Sequence, residues 1–217
     1  MKKPVYLLIF SVLMVITVFA QPYKDEIDNF KKIDSLSFPD KHLILFAGSS
    51  SFRKWTHVQQ AFPNHPIINR AFGGSTLPDL IYYANDILFP YEARQIVIYC
   101  GENDIASSDT VTAETVLLRV KQLFALIRSR QPKTEIDFVS VKPSPSRIQF
   151  RPTIEKANQL IQAFIAKQPH SKYINVFNAM LNADGSIRQE IFLEDRLHMN
   201  EKGYAIWTKI IEPYLMK

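Results

Sequence analysis

Five short apolar runs separated by amphipathic stretches set the first expectation for this chain. The runs are HLILFAG (42–48), PIIN (66–69), QIVIYCG (95–101), EIDFVSV (135–141) and YINVFN (173–178). Each is rich in β-branched or aromatic residues and nearly continuous in hydrophobicity, the pattern of parallel strands covered on both faces. Between them apolar residues recur at helical spacing. One set is Leu77, Leu80, Ile81, Ala84, Ile87 and Leu88; the next is Val116, Val120, Leu123, Phe124 and Ile127. A third is Ala157, Leu160, Ile161, Phe164 and Ile165, and a last helix carries Trp207, Ile210, Ile211 and Tyr214. Thr76 and Asn200 are predicted N-caps, Pro78 and Pro152 mark first turns, and Asp184-Gly185 marks a tight turn. Strands alternating with helices imply right-handed crossovers. The predicted fold class is therefore α/β, a three-layer α/β/α sandwich with a five-stranded parallel sheet, spanning 42–217 as one domain. In such open sheets the functional crevice lies at the carboxyl ends of the strands.

The first 41 residues stand apart. Met1-Lys2-Lys3 is basic, and Pro4 to Ala20 carries no charge and is mostly Val, Leu, Ile and Phe. Val18-Phe19-Ala20 then offers modest or small residues at the −3 and −1 positions. This predicts a secretory signal peptide over residues 1–20, hence export to the periplasm or the medium. The competing reading is an uncleaved anchor, because the apolar run approaches the ~20 residues needed to span a bilayer. Small residues at the exit favour cleavage, after which no stable membrane insertion is expected. Residues 21–41 read as a leader with one amphipathic piece (Ile27, Phe30, Ile33) packed on the domain.

Composition narrows the function classes. At 47% hydrophobic and 22% charged, the 217 residues belong to a globular protein and not a disordered one. The net charge of +5 drops to +3 once Lys2 and Lys3 are set aside with residues 1–20. With no Lys/Arg cluster interleaved with aromatics, nucleic acid is not an expected partner. Cys100 is the single cysteine, so no internal disulfide can form, and its place in IVIYC predicts a buried inert thiol. His42, His57, His65 and His170 show no metal-ligand spacing, and no phosphate-cradling glycine loop is present, so no metal or cofactor is expected.

Four polar groups fall where strands end or the last helix begins. Ser49, Ser50 and Ser51 follow the first run, and NRAFGGST (69–76) follows the second. Gly101-Glu102-Asn103-Asp104 follow the third, and Asp195-Arg196-Leu197-His198 precede the last helix. Taken singly, each has a structural reading: a turn, a turn, a helix start and a surface pair. Together they fit acyl transfer. A serine hydroxyl needs a base within hydrogen-bond reach. His198 is the candidate, with Asp195 three residues earlier placed to fix its tautomer. A backbone N–H at Gly74 and the Asn103 amide are candidate donors to an oxyanion. Phe52 stands where the second glycine of a G-x-S-x-G elbow belongs, so the α/β-hydrolase pattern is absent.

The blocks FAGSSSFRKW, NRAFGGSTL, YCGENDI and EDRLHMNEKGYAIW resemble those of the SGNH/GDSL hydrolases, in the branch that writes G-D-S-L as G-S-S-S. The resemblance runs from Phe46 to Trp207 and implies a flavodoxin-like SGNH hydrolase fold. It also implies Ser50, Asp195 and His198 as catalytic residues and Ser50, Gly74 and Asn103 as the oxyanion hole. VKPSPSR (141–147) resembles the fourth-strand exit of this branch, where it would border the pocket. The implied function is an exported serine esterase acting on a small-molecule or glycan ester, with a small acyl group such as acetyl on carbohydrate preferred. A lysophospholipase or lipase-like acylhydrolase is the alternative, and a catalytically inactive surface binding module is the alternative of another class.

Overall fold

The computed structural model describes residues 22–217, and the signal peptide expected over residues 1–20 lies outside them. Five strands, β1 (Ile44–Gly48), β2 (Ile67–Asn69), β3 (Gln95–Tyr99), β4 (Glu135–Val139) and β5 (Ser171–Ile174), form one sheet in the order β2-β1-β3-β4-β5. Every pairing is parallel, with Ile44 beside both Ile67 and Gln95, Gln95 beside Glu135, and Ile136 beside Ser171. The expected five-stranded α/β fold is present. Its strand order reverses between β1 and β3, where open parallel sheets form their crevice.

The helices are α1 (Lys24–Leu36), α2 (Ser50–Arg53), α3 (Val58–Ala61), α4 (Leu77–Tyr82), α5 (Ala84–Ile87), α6 (Glu102–Ala106), α7 (Ala113–Arg130), α8 (Arg151–Ile165) and α9 (Glu201–Ile211). Because side chains alternate along a strand, the sheet builds two cores. Leu45, Ala47, Ile96, Ile98, Ile136 and Phe138 join Leu77, Leu80, Val116, Val120, Leu123, Ile127 and Ile161 on one face. Ile44, Phe46, Val97, Tyr99 and Val139 join Phe52, Trp55, Phe62, Trp207 and Ile211 on the other. The second core is an aromatic cluster, with Trp207 edge-on to Phe52 at 5.9 Å and 4.9 Å from Tyr99 between ring centroids.

Local signals mark the ends of elements well. Asp79 Oδ2 accepts both the Thr76 backbone N–H (2.8 Å) and its hydroxyl (2.6 Å), closing the start of α4. Asn200 Oδ1 accepts the Lys202 and Gly203 N–H groups at the start of α9. Tertiary contacts overrule three expectations. The periodic run 77–88 is two helices broken at Tyr83, whose hydroxyl donates to the Pro22 carbonyl (2.6 Å) while its ring edge meets Phe72. Strand β5 starts earlier and ends earlier than YINVFN. Ser140 Oγ accepts the Val176 and Phe177 N–H groups there and turns the chain off the sheet. In α1, Ile27 is buried as expected but Ile33 stays 47% exposed. The neighbouring Asp34 makes the inward contact instead, accepting from Arg70 and from the Tyr91 hydroxyl.

Near the amino edge of the sheet, Asp137 is fully buried with one oxygen accepting from Gln95 Nε2 at 2.7 Å. Its other oxygen has no partner among the described residues. Burial pushes this carboxyl up from 3.8 to about 7, with nearby Glu135 adding to the shift. An acid raised in the folded state stabilises most below its unfolded value, and that stability drains away as pH rises through the folded value. Asp137→Asn should therefore raise the melting temperature at about pH 8, by a stabilisation on the order of a few kcal/mol. The gain should vanish near pH 4. Thermal unfolding across that range is the check, and an equal gain at every pH would contradict it.

Candidate active site

Gly48 ends β1 with φ +143°, and a Cβ on it would lie 1.9 Å from the Tyr99 carbonyl oxygen. Only glycine lets β1 press this closely on β3 and then leave the sheet. The chain turns at once, with the Ser49 N–H donating to that same Tyr99 carbonyl (2.9 Å), and α2 begins at Ser50. The three serines divide the work. Ser49 and Ser51 are buried, whereas Ser50 is half-exposed at the rim. Asn69 holds the turn from β2, donating to the Phe52 carbonyl at 2.7 Å. From α9, the Tyr204 hydroxyl donates to the Ser51 carbonyl at 2.9 Å.

The loop before α9 delivers the other half. His198 Nε2 lies 2.9 Å from Ser50 Oγ, across 148 positions of sequence, and His198 Nδ1 lies 2.6 Å from Asp195 Oδ2. The other Asp195 oxygen accepts the Leu197 and His198 backbone N–H groups, a local turn that fixes the carboxylate against the ring. Burial alone would raise the Asp195 carboxyl. The His198 ring and the two N–H donors outweigh it and hold the group well below the usual carboxylate range. A charged carboxylate facing Nδ1 favours the tautomer that leaves Nε2 free to accept a proton from Ser50.

Gly74 stands at φ +76° in the loop after β2, and neither its N–H nor that of Ser50 has an acceptor among the described residues. Such free N–H groups can serve a developing oxyanion. The start of α1 and the residue before it brace this loop: Tyr23 donates to the Gly74 carbonyl (3.1 Å), and Glu26 accepts the Gly73 N–H (3.2 Å) while pairing with Arg53. Asn103 sits at the start of α6, and its amide nitrogen donates to Ser49 Oγ (2.7 Å) and to the Ser75 carbonyl (3.0 Å). In the resting site both amide hydrogens are therefore engaged, so service to an oxyanion requires the Ser49 contact to be shared.

Behind Asn103 lies a cluster the sequence did not announce. Glu102, read above only as one of a polar group, is buried and accepts from Lys142 Nζ (2.6 Å), the Tyr99 hydroxyl (2.9 Å) and Ser144. Arg147 lies 3.7 Å from the other Glu102 oxygen and donates to Asn103 Oδ1 at 2.9 Å. Burial favours protonated Glu102, but Lys142 and Arg147 hold its carboxyl below the usual range. Burial also drives the Lys142 ammonium down. VKPSPSR does border the site, as its resemblance implied, though neither the full burial of Lys142 nor its partner was readable. Asp104, next along, is buried too and ties α6 to α4 and α7 through the Leu77 N–H (3.0 Å) and Arg119 (2.7 Å). Arg70 is spent on Asp34 and Tyr91. Cys100 is fully buried, and burial pushes its thiol well above the ordinary range, so it stays protonated.

With this geometry in hand, likeness to known proteins becomes informative. The chain is 22% identical over 152 residues to the platelet-activating factor acetylhydrolase IB subunit alpha1 of Pongo abelii, covering 69% of this chain and 64% of that protein. The human subunit matches at 22% over 156 residues, again spanning only 64% of its length. Among solved structures, a GDSL-like lipase from Bacteroides thetaiotaomicron superposes with a TM-score of 0.72 at 18% identity, covering 87% of this chain and 96% of that one. An acetyl xylan esterase superposes at 0.65 with 16% identity, covering 80% and 99%. At these identities the structures establish a shared fold. The model of the GDSL-like lipase/acylhydrolase family matches residues 34–206, a span that holds all four polar blocks. The chain belongs to the GDSL-like lipase/acylhydrolase family.

Proposed function

We propose that this chain is a serine esterase that cleaves small acyl esters, acetyl groups on carbohydrate foremost, through a Ser50 acyl-enzyme. The observation that carries the reading is the unbroken chain from Ser50 Oγ to His198 (2.9 Å) to Asp195 (2.6 Å) at the carboxyl edge of the sheet. In it, Ser50 Oγ adds to the ester carbonyl while His198 Nε2 takes the hydroxyl proton. The resulting oxyanion is met by the N–H groups of Ser50 and Gly74 and by the Asn103 amide. Collapse expels the alkoxide, which leaves as the alcohol after taking the proton from His198. Water then enters, gives a proton to His198, and attacks the acyl carbon. A second collapse releases the carboxylic acid and returns the proton to Ser50. Asp195, charged throughout, steadies the imidazolium in both halves.

Support for a short acyl group comes from the place of Ser50, half-exposed at the rim where α2 begins. A long acyl chain needs apolar walls to bury its methylenes, each worth about 0.8 kcal/mol. The names of an acetylhydrolase and an acetyl xylan esterase among the similar proteins point the same way. A lysophospholipase or lipase-like acylhydrolase is the second reading, favoured by exposed Leu193 beside the Asp195 loop and Ile148 beside Arg147. Export to the periplasm or medium is part of the proposal, on the strength of the apolar run in residues 1–20.

Ser50→Ala should abolish hydrolysis of p-nitrophenyl acetate while leaving the melting temperature nearly unchanged. Activity at the wild-type level in that variant would end the nucleophile assignment, and failure of the wild type to label with a fluorophosphonate would favour the inactive binding module. Across p-nitrophenyl esters of increasing chain length, kcat/KM should be highest for acetate and fall steadily. A rate that climbs to eight carbons or beyond would transfer the assignment to the lipase-like reading.

A further inference from the structure

We infer that Arg147 is a positioning residue of this site: anchored by the buried Glu102–Lys142 pair, it fixes which end of the Asn103 amide faces the reacting carbonyl. The inference rests on the proposed esterase reading and concerns how its oxyanion donor is kept in place. An asparagine amide has two ends of nearly equal size, and only the NH2 end can stabilise an oxyanion. Here the orientation is dictated from both sides. The nitrogen meets two acceptors, Ser49 Oγ at 2.7 Å and the Ser75 carbonyl at 3.0 Å, while the oxygen meets a guanidinium N–H of Arg147 at 2.9 Å. Turning the amide over would set oxygen against the Ser75 carbonyl and NH2 against the guanidinium.

Arg147 needs its own support, because its side chain is 18% exposed and leaves the fold on a 3-10 segment, Pro145–Phe150. Glu102 supplies it at 3.7 Å. That carboxylate is in turn pinned by Lys142 and by the Tyr99 and Ser144 hydroxyls. Tyr99 ends β3 and its carbonyl receives the Ser49 N–H, so the anchor and the turn that carries Ser50 share one strand end. A buried ion pair is seldom the most stable filling for a core, and replacing such pairs with apolar residues often raises stability. Placed directly behind Asn103, this cluster serves orientation and sets the Lys142 and Arg147 cations beside the place where negative charge develops.

Removing Arg147 leaves Glu102 still paired with Lys142, so Arg147→Ala should remain folded, with its melting temperature close to wild type. Its kcat on p-nitrophenyl acetate should fall about tenfold to a hundredfold, somewhat less than loss of a whole oxyanion donor, with KM changed less than about twofold. Arg147→Lys, which keeps a donor, should retain more of kcat than the alanine variant. Millimolar guanidinium chloride should partly restore Arg147→Ala and do nothing for Asn103→Ala. In the Asn103→Ala background, Arg147→Ala should cost almost nothing further, because the group it orients is gone. If Arg147→Ala lowers kcat equally with and without Asn103, or raises only KM, the positioning role is wrong while the oxyanion assignment stands. If Asn103→Ala itself leaves kcat untouched, both fall together.

Discussion

The close approach of β1 to β3 at Gly48 is the contact on which the site depends. Because the Gly48 Cα faces the Tyr99 carbonyl with no room for a methyl group, β1 can stop and turn within one residue. The same residue then gathers the next loop, since its carbonyl accepts the Phe72 N–H (3.0 Å) and the Ser75 hydroxyl (3.1 Å). Ser75 in turn offers its own carbonyl to Asn103. One backbone position thus ties together the segments that carry Ser50, Gly74 and Asn103. A side chain there would disturb all three at once.

Much of this was legible in the chain, for identifiable reasons. The strands were readable because parallel strands buried on two faces write long apolar runs, and the helix starts because Thr76, Asp79 and Asn200 are local devices. The blocks bearing Ser50, Gly74, Asn103, Asp195 and His198 were readable because short spacings, and a resemblance built on them, mark where reactive groups sit. Long-range pairs were not. Nothing near Glu102 signals that Lys142 will be buried against it 40 positions later. Nothing in α1 signals that Glu26 will hold the Gly73 N–H. Periodicity likewise cannot register a break such as that at Tyr83, since the buried face of α4 continues unbroken into α5.

Polar burial is unevenly spread over the sheet. At the carboxyl edge the buried charged groups, Glu102, Asp104 and Lys142, all have partners: Glu102 and Lys142 hold each other behind Asn103, and Asp104 holds Arg119 of α7 and the Leu77 N–H. At the amino edge Asp137 keeps one oxygen without a partner among the described residues, while Gln95 Nε2 is shared between the other oxygen and the Tyr214 carbonyl. Fully satisfied polar networks specify a single arrangement, whereas partly satisfied ones cost stability without fixing geometry. Satisfaction is most complete where angles and distances matter to chemistry.

The span between Ser50 and His198 bears on how the molecule comes into being. Chains are made from the amino terminus, and contacts between distant positions form late because closing long loops costs entropy. A growing polypeptide that already displays the serine turn still lacks His198, the imidazole proposed to draw off its proton. On the proposed assignment, hydrolytic competence therefore waits until α9 packs Trp207 into the aromatic core and the loop before it meets the serine turn. Under that assignment nascent or half-unfolded copies are inert, and reactivity becomes a report that folding has finished.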